Sequence, residues 1–223
     1  MRTKRGLSPA RTTVRGISTR ISGFLALAAL GPALAVAPLA RVALAAEPDP
    51  AAARIEAFDR SLVATMKEGP ALGAKGRYRK LAPVIEESFD LPVMTQFAVG
   101  PAWANLSQDD RQALVKAFTR LSVASYAHNF DSFGGERFAV DPKVETRGPD
   151  KIVQSHLTQS DGKTTALTYR MRASGGGWKI IDVYFGAISQ LTTRRSDFAQ
   201  PLAAGGAKGL IAHLNETSDK LLQ

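Results

Sequence analysis

Apolar positions along this chain change period twice. Up to Phe130 they recur every three or four residues, the spacing of one helix face. After Gly134-Gly135 they recur every second residue, the spacing of a strand, and from Ile188 the helical spacing returns. The longest helical pattern runs from Ser107 to Phe130. It opens Ser107-Gln-Asp-Asp110, in which a hydroxyl and a carboxylate three residues on satisfy otherwise unpaired backbone donors. Leu114, Val115, Phe118, Leu121 and Tyr126 then form an apolar stripe, with small Ser122 and Ser125 between them. At about 1.5 Å per residue such a helix is roughly 35 Å long, and its stripe requires a partner surface.

Ahead of it, Ala51 to Met66 places Ile55, Phe58, Leu62, Val63 and Met66 on one face, and Gly69-Pro70 is the expected end of that helix. Gly73 and Gly76 read as a loop. Helical spacing resumes over Arg77 to Phe89, where Pro83 marks either the start of the helix or a bend in it. Asp90 caps a short helix over Leu91 to Val99, which Gly100-Pro101 ends, and Trp103 stands in the connection to the long helix.

Four strands are predicted: Arg137–Thr146, Lys151–Gln159, Thr164–Arg172 and Trp178–Phe185. Their separators, Gly148-Pro-Asp150, Ser160-Asp-Gly162 and Ser174-Gly-Gly-Gly177, are turn chemistry. Connections this short join antiparallel neighbours. Leu167, Tyr169 and Met171 share one face of the third strand, and the fourth is apolar on both faces around Ile180 and Ile181. The tail is helical again, broken at Pro201 and Gly205-Gly206. The expected fold is therefore α+β, several helices packed on one four-stranded antiparallel curved sheet.

Charge changes this picture at one end only. The chain has 29 Lys and Arg against 20 Asp and Glu, a balance that suggests nucleic acid. Seven of the basic residues, and none of the acids, fall within residues 1–45. The remaining 22 basic and 20 acidic residues nearly cancel, so no nucleic-acid partner is expected. The acid-free start leads into Gly23–Leu30 and Ala33–Ala37, then Ala43-Leu-Ala45, a small-x-small cleavage pattern. Residues 1–45 thus read as a secretory signal, with an organellar transit peptide as the alternative for a long, acid-poor leader, and 46–223 as a single domain. Cysteine is absent, which excludes thiol nucleophiles and thiolate metal sites.

Candidate chemistry is sparse. There are three histidines, His128, His156 and His213, with no HExxH motif and no phosphate loop after a strand, so neither metal nor cofactor is expected. Asp182, on an otherwise apolar strand, is either a general base in an apolar pocket, with His156 as its one possible partner, or a hydrogen-bonding anchor of the sheet. Arg194-Arg195 is either a contact for lipid phosphate or a partner, or a solvated pair bridged to Asp197.

The run Phe89-Asp-Leu-Pro-Val-Met-Thr-Gln-Phe-Ala-Val-Gly-Pro-Ala-Trp103, then Leu106–Arg111, Leu114–Phe118, Gly176-Gly-Trp-Lys-Ile-Ile-Asp-Val183, Gly186–Ser189 and Arg194-Arg-Ser-Asp-Phe198, resembles the MlaC-type family of periplasmic lipid-binding proteins. Gly100-Pro-Ala-Trp103, Asn129–Arg137 and Leu191–Ser196 look most like its HpnM, hopanoid-associated branch. The resemblance implies a sheet related to the cone of nuclear-transport-factor-like proteins, and a non-enzymatic monomer in the periplasm. It implies a carrier that takes a phospholipid or hopanoid between an inner-membrane transporter and outer-membrane components. For such cargo the expected lining, between the long helix and the sheet, is Met94, Phe97, Trp103, Phe118, Leu121, Tyr126, Phe130, Leu167, Tyr169, Met171, Val183, Phe185 and Ile188. Two rivals stand beside it. One is an isomerase or dehydratase of the same cone-like fold using Asp182; the other is an adaptor with a filled core that docks a transporter.

Overall fold

A computed structural model describes residues 47–223; the expected leader lies outside the described residues. The chain order is α1 (Pro50–Ser88), α2 (Leu91–Val99), a 3-10 turn (Gly100–Asn105) and α3 (Gln108–Asn129). Strands β1 (Arg137–Val140), β2 (Glu145–Arg147), β3 (Asp150–Thr158), β4 (Thr164–Ser174), β5 (Gly177–Phe185) and β6 (Ile188–Ser189) follow, and α4 (Gln190–Leu221) closes the chain.

Caps set the helix starts. The Asp49 carboxylate accepts from Ala51 N at 2.9 Å, and Asp90 does the same for Val93 N at 3.2 Å. The Ser107 hydroxyl accepts from Asp110 N at 3.1 Å and donates to the Asp110 carboxylate at 2.7 Å, as the sequence pattern requires. Helix α1 differs from expectation. It passes Gly69-Pro70, which costs only one backbone donor, and breaks at Gly73 (φ 61°, ψ 174°). No loop intervenes, and the helix runs past Pro83 with no second break. Gly69 answers to a different constraint: a Cβ there would lie 1.9 Å from the Asp131 carbonyl oxygen. Helix α4 likewise passes Pro201 and breaks at Gly206 (φ 58°).

The sheet has six strands, not four. The first predicted strand is two, β1 and β2, which pair with opposite ends of β3. Pro142 lies between them and cannot donate to a ladder. β6 is a two-residue strand that folds back on the end of β5. All pairings are antiparallel, in the order β1-β3-β4-β5-β6 with β2 sharing an edge of β3. The two apolar faces predicted for β5 reflect a bulge. Arg170 pairs with Asp182 and Met171 with Ile180, leaving Ile181 as the extra residue.

Helix α1 lies on the sheet and against α3, while α4 packs along α3 and α2. Phe58 of α1 is the hub of the core, edge-on to Phe89 (5.4 Å), Tyr126 (5.5 Å) and Tyr169 (6.4 Å). Such edge-to-face pairs favour one relative placement of helix and sheet. Among the described residues, no helix is long and apolar enough to cross a membrane.

Candidate functional site

A cavity of about 120 Å³ opens where α3, the first turn of α4 and the end of β5 meet. Its origin lies in the face of α3. Phe118, Ser122, Tyr126 and Phe130 follow one another at four-residue intervals, and Ser125 and Asn129 lie alongside. Aromatic rings are thus interleaved with side chains too small to fill the space beside them. Tyr126 and Phe130 stack at 5.6 Å with their planes 10° apart, and Phe89, Met94, Val183, Phe185 and Leu191 complete the apolar wall.

The other wall is polar. Ser122 returns its hydroxyl to the Phe118 carbonyl at 2.8 Å. Gln190 and Arg194 project from the start of α4, and Arg194 Nη2 is 3.4 Å from Ser125 Oγ. Burial pushes the Tyr126 hydroxyl well above its ordinary pKa, with the Asp59 charge adding to the effect, so it is a neutral donor at any physiological pH. The arrangement is amphiphilic, an apolar recess with hydrogen-bonding groups and one cation along one side.

Six residues expected from the sequence line this cavity: Met94, Phe118, Tyr126, Phe130, Val183 and Phe185. The structure places the other seven elsewhere. Leu121, Leu167, Tyr169 and Met171 are at most 3% exposed and belong to the filled core. Alternation identifies the inward face of β4 but cannot tell that α1 already covers it. Trp103 anchors the entrance of α3, where Arg111 stacks on its ring at 5.7 Å and donates to its carbonyl at 3.1 Å. Phe97 and Ile188 are 48% and 63% exposed; Ile188 sits in the β5–β6 hairpin opposite Phe185. Sequence reading missed Phe89, Ser122, Ser125, Asn129, Gln190, Leu191 and Arg194 as lining. The signal was partly present, in the serines interrupting the α3 stripe and in the basic pair.

Asp182 has its carboxylate fully engaged. One oxygen accepts from Val183 N (2.8 Å) and Leu191 N (3.1 Å), the other from Ser189 Oγ (2.6 Å). It fastens the start of α4 to β5 and is not among the cavity residues. His156 is two strands away and four register steps along, and is 3.4 Å from Asp141, so the dyad does not form. The acid whose pKa burial raises is Asp59, which the sequence did not single out. Burial raises its carboxyl to a pKa of about 7 against the opposing effect of Ser155 and Tyr169. Ser155 donates to one oxygen at 3.2 Å, and the other has no partner among the described residues. Asp59 is not among the residues lining this cavity and borders a separate surface recess with Arg60, Phe138 and Val140. Among the described residues no cluster of His, Cys, Asp or Glu is suited to a metal ion.

Helices wrapped on an open antiparallel sheet, with an amphiphilic recess between helix and strand, make an α+β fold whose concave, largely apolar recess has the character of a small-ligand site. A sequence model of the MlaC protein family matches residues 56–216, and the chain belongs to that family. Its fold is similar to that of a phospholipid-binding protein from Ralstonia solanacearum solved in complex with a phospholipid. The TM-score is 0.69 at 24% identity, covering 78% of this chain and 100% of that one.

Proposed function

We propose that this protein is a periplasmic carrier that binds a phospholipid in the recess between α3, α4 and β5 and passes it between an inner-membrane transporter and outer-membrane components. The observation that carries the proposal is the amphiphilic cavity in a chain of the MlaC family, a family of periplasmic lipid-binding carriers. The related Ralstonia protein, which binds a phospholipid, supports the choice of cargo. The engagement of the Asp182 carboxylate by Val183, Ser189 and Leu191 speaks for a carrier over an isomerase that uses this residue as its base.

Energetics define what the carrier has to do. Each methylene withdrawn from water is worth about 0.8 kcal/mol, so a dozen hold a lipid back by roughly 10 kcal/mol, which the recess must match. A volume of about 120 Å³ is below the roughly 300–1,000 Å³ of typical ligand sites. Loading a whole acyl chain therefore requires the recess to widen. The runs resembling the hopanoid-associated branch, Gly100–Trp103 and Leu191–Ser196, keep a hopanoid as second candidate.

The test is to express the full chain in a Gram-negative host and purify it from the periplasmic extract. Bound lipid is then identified by solvent extraction and mass spectrometry. A stoichiometric phospholipid is expected; a hopanoid from a producing host would select the second cargo. A protein that leaves the cell free of lipid, and takes up none from vesicles, is no carrier.

A further inference from the structure

The basic pair at the start of α4 is split by the fold. Arg195 packs on the end of α2, where its guanidinium lies 3.1–3.2 Å from the position a Cβ on Gly100 would occupy. Arg194 instead lines the cavity. A guanidinium carries five N–H donors. For Arg194 the described residues provide a 3.4 Å contact to Ser125 Oγ and a 3.8 Å approach to Asp197, itself about half exposed. Neither is a short, charge-assisted pair. With its side chain over a third exposed, the guanidinium keeps donors available for an anionic group at the edge of the apolar recess.

The groups around it fit that role. Ser125 and Asn129 lie one α3 turn apart beside the cavity, and Gln190 stands one α4 turn before Arg194, so a hydroxyl, two amides and a guanidinium share the same wall. Two of the backbone donors at the start of α4 are already used: Asp182 takes Leu191 N and Ser189 takes Thr192 N. Charge recognition therefore falls to side chains. The opposite wall, Phe89, Met94, Val183 and Phe185, is hydrocarbon.

We infer that Arg194, with Ser125, Asn129 and Gln190, is an anion-reading end of the cavity, and that its ligand is a phosphate monoanion bearing a hydrocarbon chain. This rests on the carrier reading and narrows it: a phosphodiester lipid engages both walls, whereas a neutral polycyclic lipid leaves Arg194 without its counter-charge. The bidentate geometry of guanidinium with phosphate oxygens makes lysine an imperfect substitute.

The full chain, stripped of lipid, is titrated by calorimetry with three probes. They are a short-chain phosphatidylglycerol below its micelle concentration, the matching diacylglycerol lacking the phosphate, and inorganic phosphate. The phosphatidylglycerol should bind at least about 10-fold more tightly than the diacylglycerol, the equivalent of one charged contact. Arg194→Gln should abolish that preference, Arg194→Lys should recover part of it, and inorganic phosphate should not saturate. Thermal melts confirm that each variant is folded; Arg194 is over a third exposed, so its replacement is tolerated. Equal binding of the two lipids by the parent protein, or an unchanged preference in a folded Arg194→Gln, overturns the inference and leaves the carrier reading intact. Inorganic phosphate binding as tightly as the lipid overturns it in favour of a free-anion site. Failure of both lipids to bind removes the phospholipid-carrier reading and the inference together.

Discussion

Arg77 donates from Nε to the Ala127 carbonyl at 2.7 Å and from Nη1 to the Gly69 carbonyl at 2.9 Å. Its side chain is buried, and no carboxylate pairs with it among the described residues. Both acceptors belong to helix ends. Ala127 is in the last turn of α3, and Gly69 precedes the break in α1 at Gly73. Two helix C-termini, each carrying partial negative charge, thus balance one cation and join α1 to α3 behind the cavity.

Arg77→Met keeps most of the stem and removes both donors, leaving two carbonyls buried without partners. Hydrogen bonds to charged groups are worth roughly 1.5–3 kcal/mol each, so a loss of about 3 kcal/mol in urea denaturation is expected, with Arg77→Lys between variant and parent. A change under about 0.5 kcal/mol, the range of an ordinary surface substitution, would show that this link contributes nothing.

Asp59 gives stability a pH dependence on the neutral side. Its folded pKa is about 7, against 3.8 for the same carboxyl free in water. Between those values the folded protein binds more protons than the unfolded chain. Stability from this group is therefore full below about pH 4 and declines as pH rises to about 7. The span corresponds to roughly 4 kcal/mol. Asp59→Asn removes the titration. It should match the parent at about pH 3.5, exceed it increasingly as pH rises, and exceed it most at pH 8 in chemical denaturation; parallel curves for the two proteins would refute the assignment.

Asp150 works in the opposite direction. Arg172 and Arg170 hold its carboxyl below the usual range, against the effect of burial. Arg170 Nε and Arg172 Nε each donate at 2.6 Å. A depressed folded pKa contributes stability above the unfolded pKa that is lost as pH falls through the folded one. Breaking a buried pair costs about 3–5 kcal/mol, and the partial exposure of both arginines places Asp150→Ala near the lower end of that range. Acid unfolding of the variant should lose the corresponding portion of its pH slope below about 4. An unchanged acid midpoint and slope would contradict this.

How much of this was readable beforehand differs by element. α3 is legible because Ser107 and Asp110 form a local cap and the apolar stripe is long enough to outweigh any single residue. Strands β3 to β5 are legible because Ser160-Asp-Gly162 and Ser174–Gly177 can only make tight turns. The ends at Gly69 and Pro201 were misjudged, since a proline removes one donor without reversing the chain, whereas the positive φ at Gly73 and Gly206 redirects it. Lining was harder still. Met171 and Phe118 are equally apolar in the sequence and both buried in the fold, but only the second borders the recess beside α3. Three-dimensional coverage leaves no periodic trace.

That distinction can be measured with one substitution on each side of it. Ser122 lines the recess and its hydroxyl bonds only its own helix, so Ser122→Leu pushes three additional carbons into about 120 Å³ of space. If lipid occupies this recess, uptake from vesicles falls sharply while stability is unchanged or rises, because filling a void restores contacts. Met171 is fully buried in the core and absent from the wall. Met171→Ala should cost about 2–5 kcal/mol through the cavity it leaves, yet the folded fraction should load lipid at the parent rate. The opposite pairing, with Ser122→Leu loading normally and folded Met171→Ala unable to load, would move the lipid from the α3–α4 recess to the space beneath β4.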